Sequence, residues 1–411
     1  MPDTTDVTSP IILAFSGGLD TSFCVPWLKA HYGRDVITVT VDTGGIDARA
    51  ATELEDRARA LGAIEHVLLD RKQAFFDRVI RYLIAGNLII SGPRVPAWCV
   101  GAERGVQAEA LASLARERAA TTVAHGCTAA GNDQVRFEVA LRTLNPGLEV
   151  LAPVRDNNWV RDEQLRYLSD HDLPLPAQGS AYSVNRGLWG VTIGGRETLT
   201  SEKSIPEDAW VLSAGALEQD RGKTSHTLGF RAGIPVTLDG EALEPVPLIE
   251  SLEALAGACG IGRGIHVGDN RARRTKARVA FEAPAAVTLI TAHRELEKLV
   301  LSGHQARLKD SVAAVYGDMI HEGRQLDLAA RDAEALLASS QRRVTGDVHF
   351  TLAPGNLFVT GATLAALPAP AATQGVYGEA AGEWTAADAL GYCRGILSSP
   401  GTLQTRAGQV D

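Results

Sequence analysis

The sequence predicts an α/β protein: a parallel, doubly wound nucleotide-binding domain over residues 1–172, an α+β domain over 173–364, and a linker with a C-terminal segment over 365–411. Two observations carry this. Short apolar runs alternate with helix-like segments through the first part, as in a parallel sheet covered on both faces. Two of those runs are followed at once by a glycine-bearing turn, where such folds bind ligands. With 411 residues the chain exceeds one ordinary core.

The elements follow in order. Ile11 to Phe15 is a continuous apolar run, as a strand buried on both faces should be. The next helix begins near Asp20 and carries Phe23, Trp27 and Leu28 inward, with Pro26 distorting its early turns. Val36 to Val41 is rich in β-branched residues and reads as the second strand. Ala48 to Leu61 is a helix ended by Gly62, and His66 to Leu69 a third strand. Lys72 to Ile84 and Val106 to Arg118 read as helices, and Thr121 to His125 returns to the sheet. Asp133 to Leu144 is a helix stopped by Asn145-Pro146-Gly147, and Leu148 to Ala152 another strand. Beyond Asp172 strands with turns (Val236 to Gly240) mix with helices (Pro247 to Ala258). The alanine-rich stretch Ala365 to Thr373, broken by Pro368 and Pro370, reads as a linker. The end from Ser398-Ser399-Pro400-Gly401 has poor helical character.

A net charge of −9 argues against a broad nucleic-acid surface, while one small anionic ligand remains compatible with it. The five cysteines (Cys24, Cys99, Cys127, Cys259, Cys393) form no CxxC pair, and no histidine cluster has metal-ligand spacing, so no resident protein-held metal is predicted. The polar N-terminus and the lack of a long apolar run predict neither secretion signal nor membrane span, hence a cytoplasmic location.

The strongest motif is Ser16-Gly17-Gly18-Leu19-Asp20-Thr21-Ser22, between a strand and a helix start. Two glycines let backbone N–H groups approach an anion, and Ser16, Thr21 and Ser22 add hydroxyls. It lacks the GKS/GKT ending of a Walker loop. Read as structure only, it is a tight turn with Asp20 or Ser22 as cap. Asp20 either orients the loop or holds Mg²⁺, and both readings stay open.

The loop resembles the pyrophosphatase loop of enzymes that split ATP into AMP and pyrophosphate. Together with His125-Gly126-Cys127-Thr128-Ala129-Ala130-Gly131-Asn132-Asp133-Gln134-Val135-Arg136-Phe137-Glu138, it is similar to argininosuccinate synthases. Further blocks, in the same order as in that family, are Val236 to Gly262, Phe281 to Pro284, Thr291 to Glu297, Val344 to Gly346 and Ala387 to Tyr392. The resemblance implies an adenine nucleotide α-hydrolase-like domain, a synthetase domain and a C-terminal oligomerisation segment, usually in a homotetramer. It implies an ATP-dependent, AMP-forming C–N ligase of arginine biosynthesis: AMP activates the ureido oxygen of citrulline, and the amine of L-aspartate displaces it. ATP would lie on Ala14, Ser16 to Ser22, Val41 and Gly126, with Mg²⁺ as its companion; aspartate on Thr128, Asn132 and Asp133. Asn132, Arg136, Ser183, Thr192, Asp269 and Phe281 would take the acceptor. Asp20, Asp133 and Arg136 are the expected catalytic group. Arg136, one helical turn beyond Asn132, reaches the same cleft and suits a carboxylate.

Departures concentrate on the acceptor side. The family's Tyr-x-Leu stretch before Ala-Arg-Pro is replaced by Gly92 to Ala102, with Pro96 or Ala97 in the tyrosine's place. Asn185 and Gly187 stand for an Asp and an Asn, Asp269 for a Glu, and Phe281 for a Tyr. A site built on hydrogen bonds rejects ligands that leave its polar groups unpaired, so these changes point either to drift or to a different ureido, amidino or carboxamide acceptor in specialised metabolism. A regulator without turnover and an RNA-modifying enzyme are the competing classes. His125, His293 and Cys127 are read as packing or hydrogen-bonded structural residues rather than catalysts.

Overall fold

The computed structural model describes residues 9–88, 100–129, 131–175, 182–270, 275–364 and 384–406, with side chains undescribed at 100, 268–270, 275–277 and 404–406. The expected linker at 365–373 and the acceptor-side stretch 92–99 lie outside these residues. Two compact units are present, Met1–Ala362 and Thr363–Asp411.

In the first unit β1 (Ile11–Ala14), α1 (Leu19–Tyr32), β2 (Val36–Asp42), α2 (Ala48–Ala60) and β3 (Glu65–Asp70) alternate as expected. The helix after β3 is not uniform: α3 (Lys72–Phe75) passes through a π-helical stretch, Phe76–Ile80, into α4 (Arg81–Ala85). Then come α5 (Arg104–Glu117), β4 (Thr122–Ala124), α6 (Asp133–Leu144), β5 (Glu149–Leu151), α7 (Pro153–Asp156) and α8 (Arg161–Asp170). α1 continues as helix through Pro26 to Tyr32.

Strands β1 to β5 form one parallel sheet ordered β3-β2-β1-β4-β5. The apolar runs are continuous because both faces are covered: Ile12, Val39 and Val123 pack under α5 and α6, and Ile11, Leu13 and Val36 under α1 and α2. The strand order reverses at the β1–β4 pair, so the loops leaving their carboxyl ends flank the crevice where such sheets bind ligands.

The rest of the unit holds two further sheets. β6 (Ser183–Gly187), β7 (Gly190–Gly194), β11 (Arg263–Asn270) and β12 (Thr275–Glu282) are ordered β11-β12-β7-β6. β8 (Thr224–Arg231), β9 (Ile234–Leu238), β10 (Glu241–Ala242), β13 (Gly346–Ala353) and β14 (Asn356–Leu364) are ordered β10-β9-β8-β13-β14. Asp239 and Gly240, with φ of 52° and 84°, make the tight β9–β10 turn. Helices α9 (Pro245–Gly257), α10 (Pro284–Lys298), α11 (Gly303–Glu322) and α12 (Leu328–Gln341) complete it. A buried polar network joins them: Lys309 donates to Glu297 at 2.8 Å, and His293 lies 2.7 Å from Asn87 Oδ1 and 2.8 Å from Gln341 Oε1. His293 is fully buried and serves this network.

The β6–β7 turn rests on the parallel domain. Leu188 N–H donates to Thr43 O at 2.9 Å, and a Cβ on Gly44 (φ 117°) would lie 2.2 Å from Leu188 N, so only glycine fits. In the second unit, α13 (Ala386–Leu397) and α14 (Pro400–Arg406) are both helical. The low propensity read from the last residues is overridden because Pro400 begins α14, where proline costs no hydrogen bond.

Candidate active site

The first loop is held by its own hydroxyls. Ser16 N–H donates to Thr21 Oγ1 (3.3 Å), the Thr21 hydroxyl donates to Gly18 O (3.3 Å), and the Ser22 hydroxyl donates to Gly17 O (3.3 Å). Thr40 anchors it from β2 by donating to Phe15 O at 2.7 Å. Gly17 has φ 72°, and a Cβ there would come 2.6 Å from Leu54 of α2. Gly18 occupies the cap position of α1, and neither Asp20 nor Ser22 caps the helix. The turn-with-cap reading therefore fails. The first N–H groups of α1 lack a side-chain acceptor, and they carry the positive end of the helix dipole.

The second loop repeats this at β4. Asn132 sits at the cap position of α6 with no capping side-chain bond. Gly126 packs against the first loop: a Cβ there would meet Thr21 Cγ2 at 2.9 Å, Thr21 N at 3.1 Å and Asp20 C at 3.2 Å. Ser16, Gly18 and Thr128 are exposed, and Ala14, Asp20, Thr21, Val41 and Asn132 are half-buried beside them. Leu19 and Ser22 are buried and hold α1 to the sheet.

Asp133 is the most distinctive group. Its carboxylate accepts from Arg136 Nη1 at 2.5 Å and from Arg104 Nε at 3.1 Å. Burial alone would raise its pKa, but Arg104 and Arg136 outweigh that and hold it down to about 2. It is also the outward member: its side chain is 37% exposed, against 13% for Arg104 and 8% for Arg136. The structure thus presents an anion to the crevice with two cations behind it.

Arg136 reaches this place by committing four of its five N–H groups to Asp133 and to His321 O and Nδ1. One N–H remains for a substrate, where a bidentate carboxylate grip requires two. Gly323 and Gly101 close around it, where a Cβ would lie 2.8 Å from its Cα and 3.0 Å from its Cζ.

The acceptor-side residues share one rung. Asn185 pairs with Thr192, Thr192 with Phe281, and Phe281 with Gly264, so these four stand side by side on one face, and Ser183, two residues before Asn185, joins them. The Phe281 ring lies across Gly264, where a Cβ would come 2.3 Å from Cζ. Asn185 Oδ1 accepts from Arg104 Nη2 at 3.5 Å, which turns that face toward Asp133. Asp269 lies in β11 with its side chain outside the described residues.

His125 and Cys127 are unsuited to chemistry. Burial, then Arg155, pushes His125 down to about 4, while its Nδ1 accepts from Cys127 N–H at 3.3 Å and its ring stacks on Phe137. Burial, then Asp133, pushes the Cys127 thiol up to about 12. Neither is a base or nucleophile near neutral pH.

Two residues escaped the sequence reading. Arg104 opens α5, where a cation opposes the helix dipole; that local conflict was the available signal. Glu103 precedes it, buried, accepting from Thr43 Oγ1 at 2.6 Å and Gln107 Nε2 at 3.3 Å, while its Oε1 has no hydrogen-bond partner. Burial raises its pKa to about 7 against the opposing pull of Arg104 and Thr43. The folded state then holds a proton that the unfolded state releases above its ordinary value of 4.5, so stability falls as pH rises from 4.5 through 7. Glu103→Gln is expected to flatten that decline by about 3 kcal/mol at pH 8. Urea midpoints across the range check it; an unchanged slope counts against the assignment.

No group of three or more His, Cys, Asp or Glu side chains converges on a cation site among the described residues. No helix there is long and apolar enough to cross a membrane.

Comparison with known families gives matches along most of the chain. A family model described as "Arginosuccinate synthase N-terminal HUP domain" matches residues 10–174, and one described as "Arginosuccinate synthase C-terminal domain" matches 182–366. A curated argininosuccinate synthase from Methanocaldococcus jannaschii is 37% identical over 350 residues, 85% of this chain and 87% of that protein. Those from Dehalococcoides mccartyi and Bacillus cereus are each 37% identical, over 86% and 85% of this chain and 86% of their own lengths.

Proposed function

Because the chain belongs to the argininosuccinate synthase family, we propose that it is an AMP-forming carbon–nitrogen ligase condensing citrulline, or a related ureido compound, with L-aspartate. The observation that carries this reading is the pair of uncapped helix starts, α1 and α6, at the tips of adjacent strands, with the Gly126 backbone against Thr21. ATP lies on Ala14, the Ser16 to Ser22 loop, Val41 and Gly126. The ureido oxygen attacks the α-phosphorus, and the bond to pyrophosphate breaks. The aspartate amine then attacks the ureido carbon that bears this oxygen, the C–O bond to AMP breaks, and one proton leaves the nitrogen. The first loop's N–H groups stabilise the departing pyrophosphate.

Thr128 and Asn132 hold the carboxylates of aspartate, Asp133 faces its amine, and Arg136 keeps Asp133 in place with one N–H left for substrate. Mg²⁺ fits as a companion of the triphosphate, with Asp20 as the protein carboxylate, because this ion binds through one or two carboxylates plus phosphates rather than a protein cage. It supplies charge neutralisation on the phosphates. Domain limits of 1–172, 173–364 and 365–411, a cytoplasmic location and a homotetramer complete the proposal. Exposed Leu390, Tyr392 and Ile396 on α13 support a subunit contact. A different acceptor is the second reading, favoured by Phe281, which brings a ring without a hydroxyl to the rung of Asn185 and Thr192.

The test supplies purified protein with ATP, aspartate and a panel of ureido, amidino and carboxamide acids, reading pyrophosphate and the condensed product by mass. Product with citrulline identifies the arginine pathway, and product with another acid identifies the second reading. Pyrophosphate release with none of them overturns the ligase assignment and leaves a nucleotide-binding regulator.

A further inference from the structure

Arg104 bridges three elements at the site. Its side chain is 13% exposed and spends each nitrogen on a different element: Nε on Asp133 of α6 at 3.1 Å, Nη1 on Gln107 of α5 at 2.9 Å, and Nη2 on Asn185 of β6 at 3.5 Å. Asp133 is thus held from behind by two guanidiniums, of which Arg136 is itself fixed by the His321 carbonyl. Arg104 and Arg136 bond the Asp133 carboxylate, and its charge is in turn felt by Glu103 and the neutral Cys127 thiol. The cluster of Asp133 and two arginines carries one net positive charge while Glu103 is neutral and none once Glu103 is ionised above about pH 7; without Arg104 it is one unit more negative in either state.

We propose that Arg104 is a positioning residue for the amine half of the reaction: it fixes the Asp133 carboxylate and adds a positive charge behind it, so that the bound amine sheds its proton to solvent before attack. The inference rests on the ligase reading. An ammonium has no lone pair and cannot form the C–N bond, whereas the acidic partner alone would hold the substrate as ammonium. A cation behind the carboxylate tips that balance, and Arg104 is the cation that also spans to the acceptor strand. Removing it leaves Asp133 paired only with Arg136 and the cluster one charge more negative, which favours the protonated amine.

The experiment compares Arg104→Gln and Arg104→Lys with the unaltered protein, using ATP, aspartate and the acceptor found above. Arg104→Gln is expected to lower kcat about tenfold at pH 7.5, with the limb of kcat that rises with pH displaced upward by about one unit. Acceptor-dependent exchange of pyrophosphate into ATP, measured without aspartate, should fall by much less than kcat. Arg104→Lys, which keeps the charge, should restore the limb even where it restores only part of kcat. A wild-type limb in Arg104→Gln, or an equal loss of exchange and condensation, overturns the inference; so does a limb in Arg104→Lys displaced as far as in the glutamine variant. If Arg104→Gln does not fold, Arg104→Lys decides alone by the position of its limb. The absence of condensation in the unaltered protein sinks the ligase reading instead, which keeps the two failures apart.

Discussion

Asp133→Asn is expected to reduce aspartate-dependent turnover by a factor of about 100 or more, while leaving ATP binding in place. The amide keeps the shape but removes the charge that two guanidiniums face at 2.5 and 3.1 Å, and its NH₂ turns a donor toward donors. Breaking a fully buried ion pair costs about 3–5 kcal/mol; with 37% of the Asp133 side chain open to solvent, screening reduces the loss to about 2 kcal/mol. Steady-state kinetics with varied aspartate, beside a urea melt, separate the two effects. Turnover within a few fold of normal would remove Asp133 from the amine site. The same carboxylate makes a pH prediction: its stability contribution is present above the unfolded value of 3.8 and is lost as pH falls toward about 2.

The second large effect is expected at Gly126. In Gly126→Val the new side chain meets Thr21 N and Asp20 C, where Cβ alone would lie at 3.1 and 3.2 Å. These are backbone atoms of the first loop, so no rotamer relieves the overlap. The two loops must separate by several tenths of an ångström or more. Misplacement on the 1 Å scale costs about 100-fold in rate when reacting groups must align. The expected result is a rise in the KM for ATP together with a loss of pyrophosphate exchange of about that size, in a protein that retains its circular dichroism. Normal exchange would mean that the loops do not share the nucleotide.

The parallel sheet was legible because each strand announces itself alone: Ile11 to Ala14 and Val36 to Val41 are apolar or β-branched throughout, which burial on both faces requires. Both loops were legible for the same local reason, since glycine and hydroxyl residues stand next to the strands they follow. What joins them was not. Arg104 meets Asp133 and Asn185, 29 and 81 residues away, and only the folded chain makes those distances short. Arg136 was read as a carboxylate clamp from helical spacing, a rule blind to His321, 185 residues on, which takes three of its bonds. The π-helical stretch at Phe76–Ile80 has no sequence mark of the Gly or Pro kind, and Pro26 shows that a breaker need not break.

The contact of Thr43 O with Leu188 N–H has a bearing on how such an enzyme changes its substrate. With Gly44 leaving no space at that point, the β6–β7 ribbon is bolted to the nucleotide half rather than hinged on it. A lineage seeking a new acceptor cannot swing the ribbon aside; it has to exchange the side chains that the ribbon displays. On the acceptor reading proposed above, Asn185, Thr192 and Phe281 are then the interchangeable teeth of a fixed comb, and a new substrate range would be reached by exchanging side chains rather than by moving backbone.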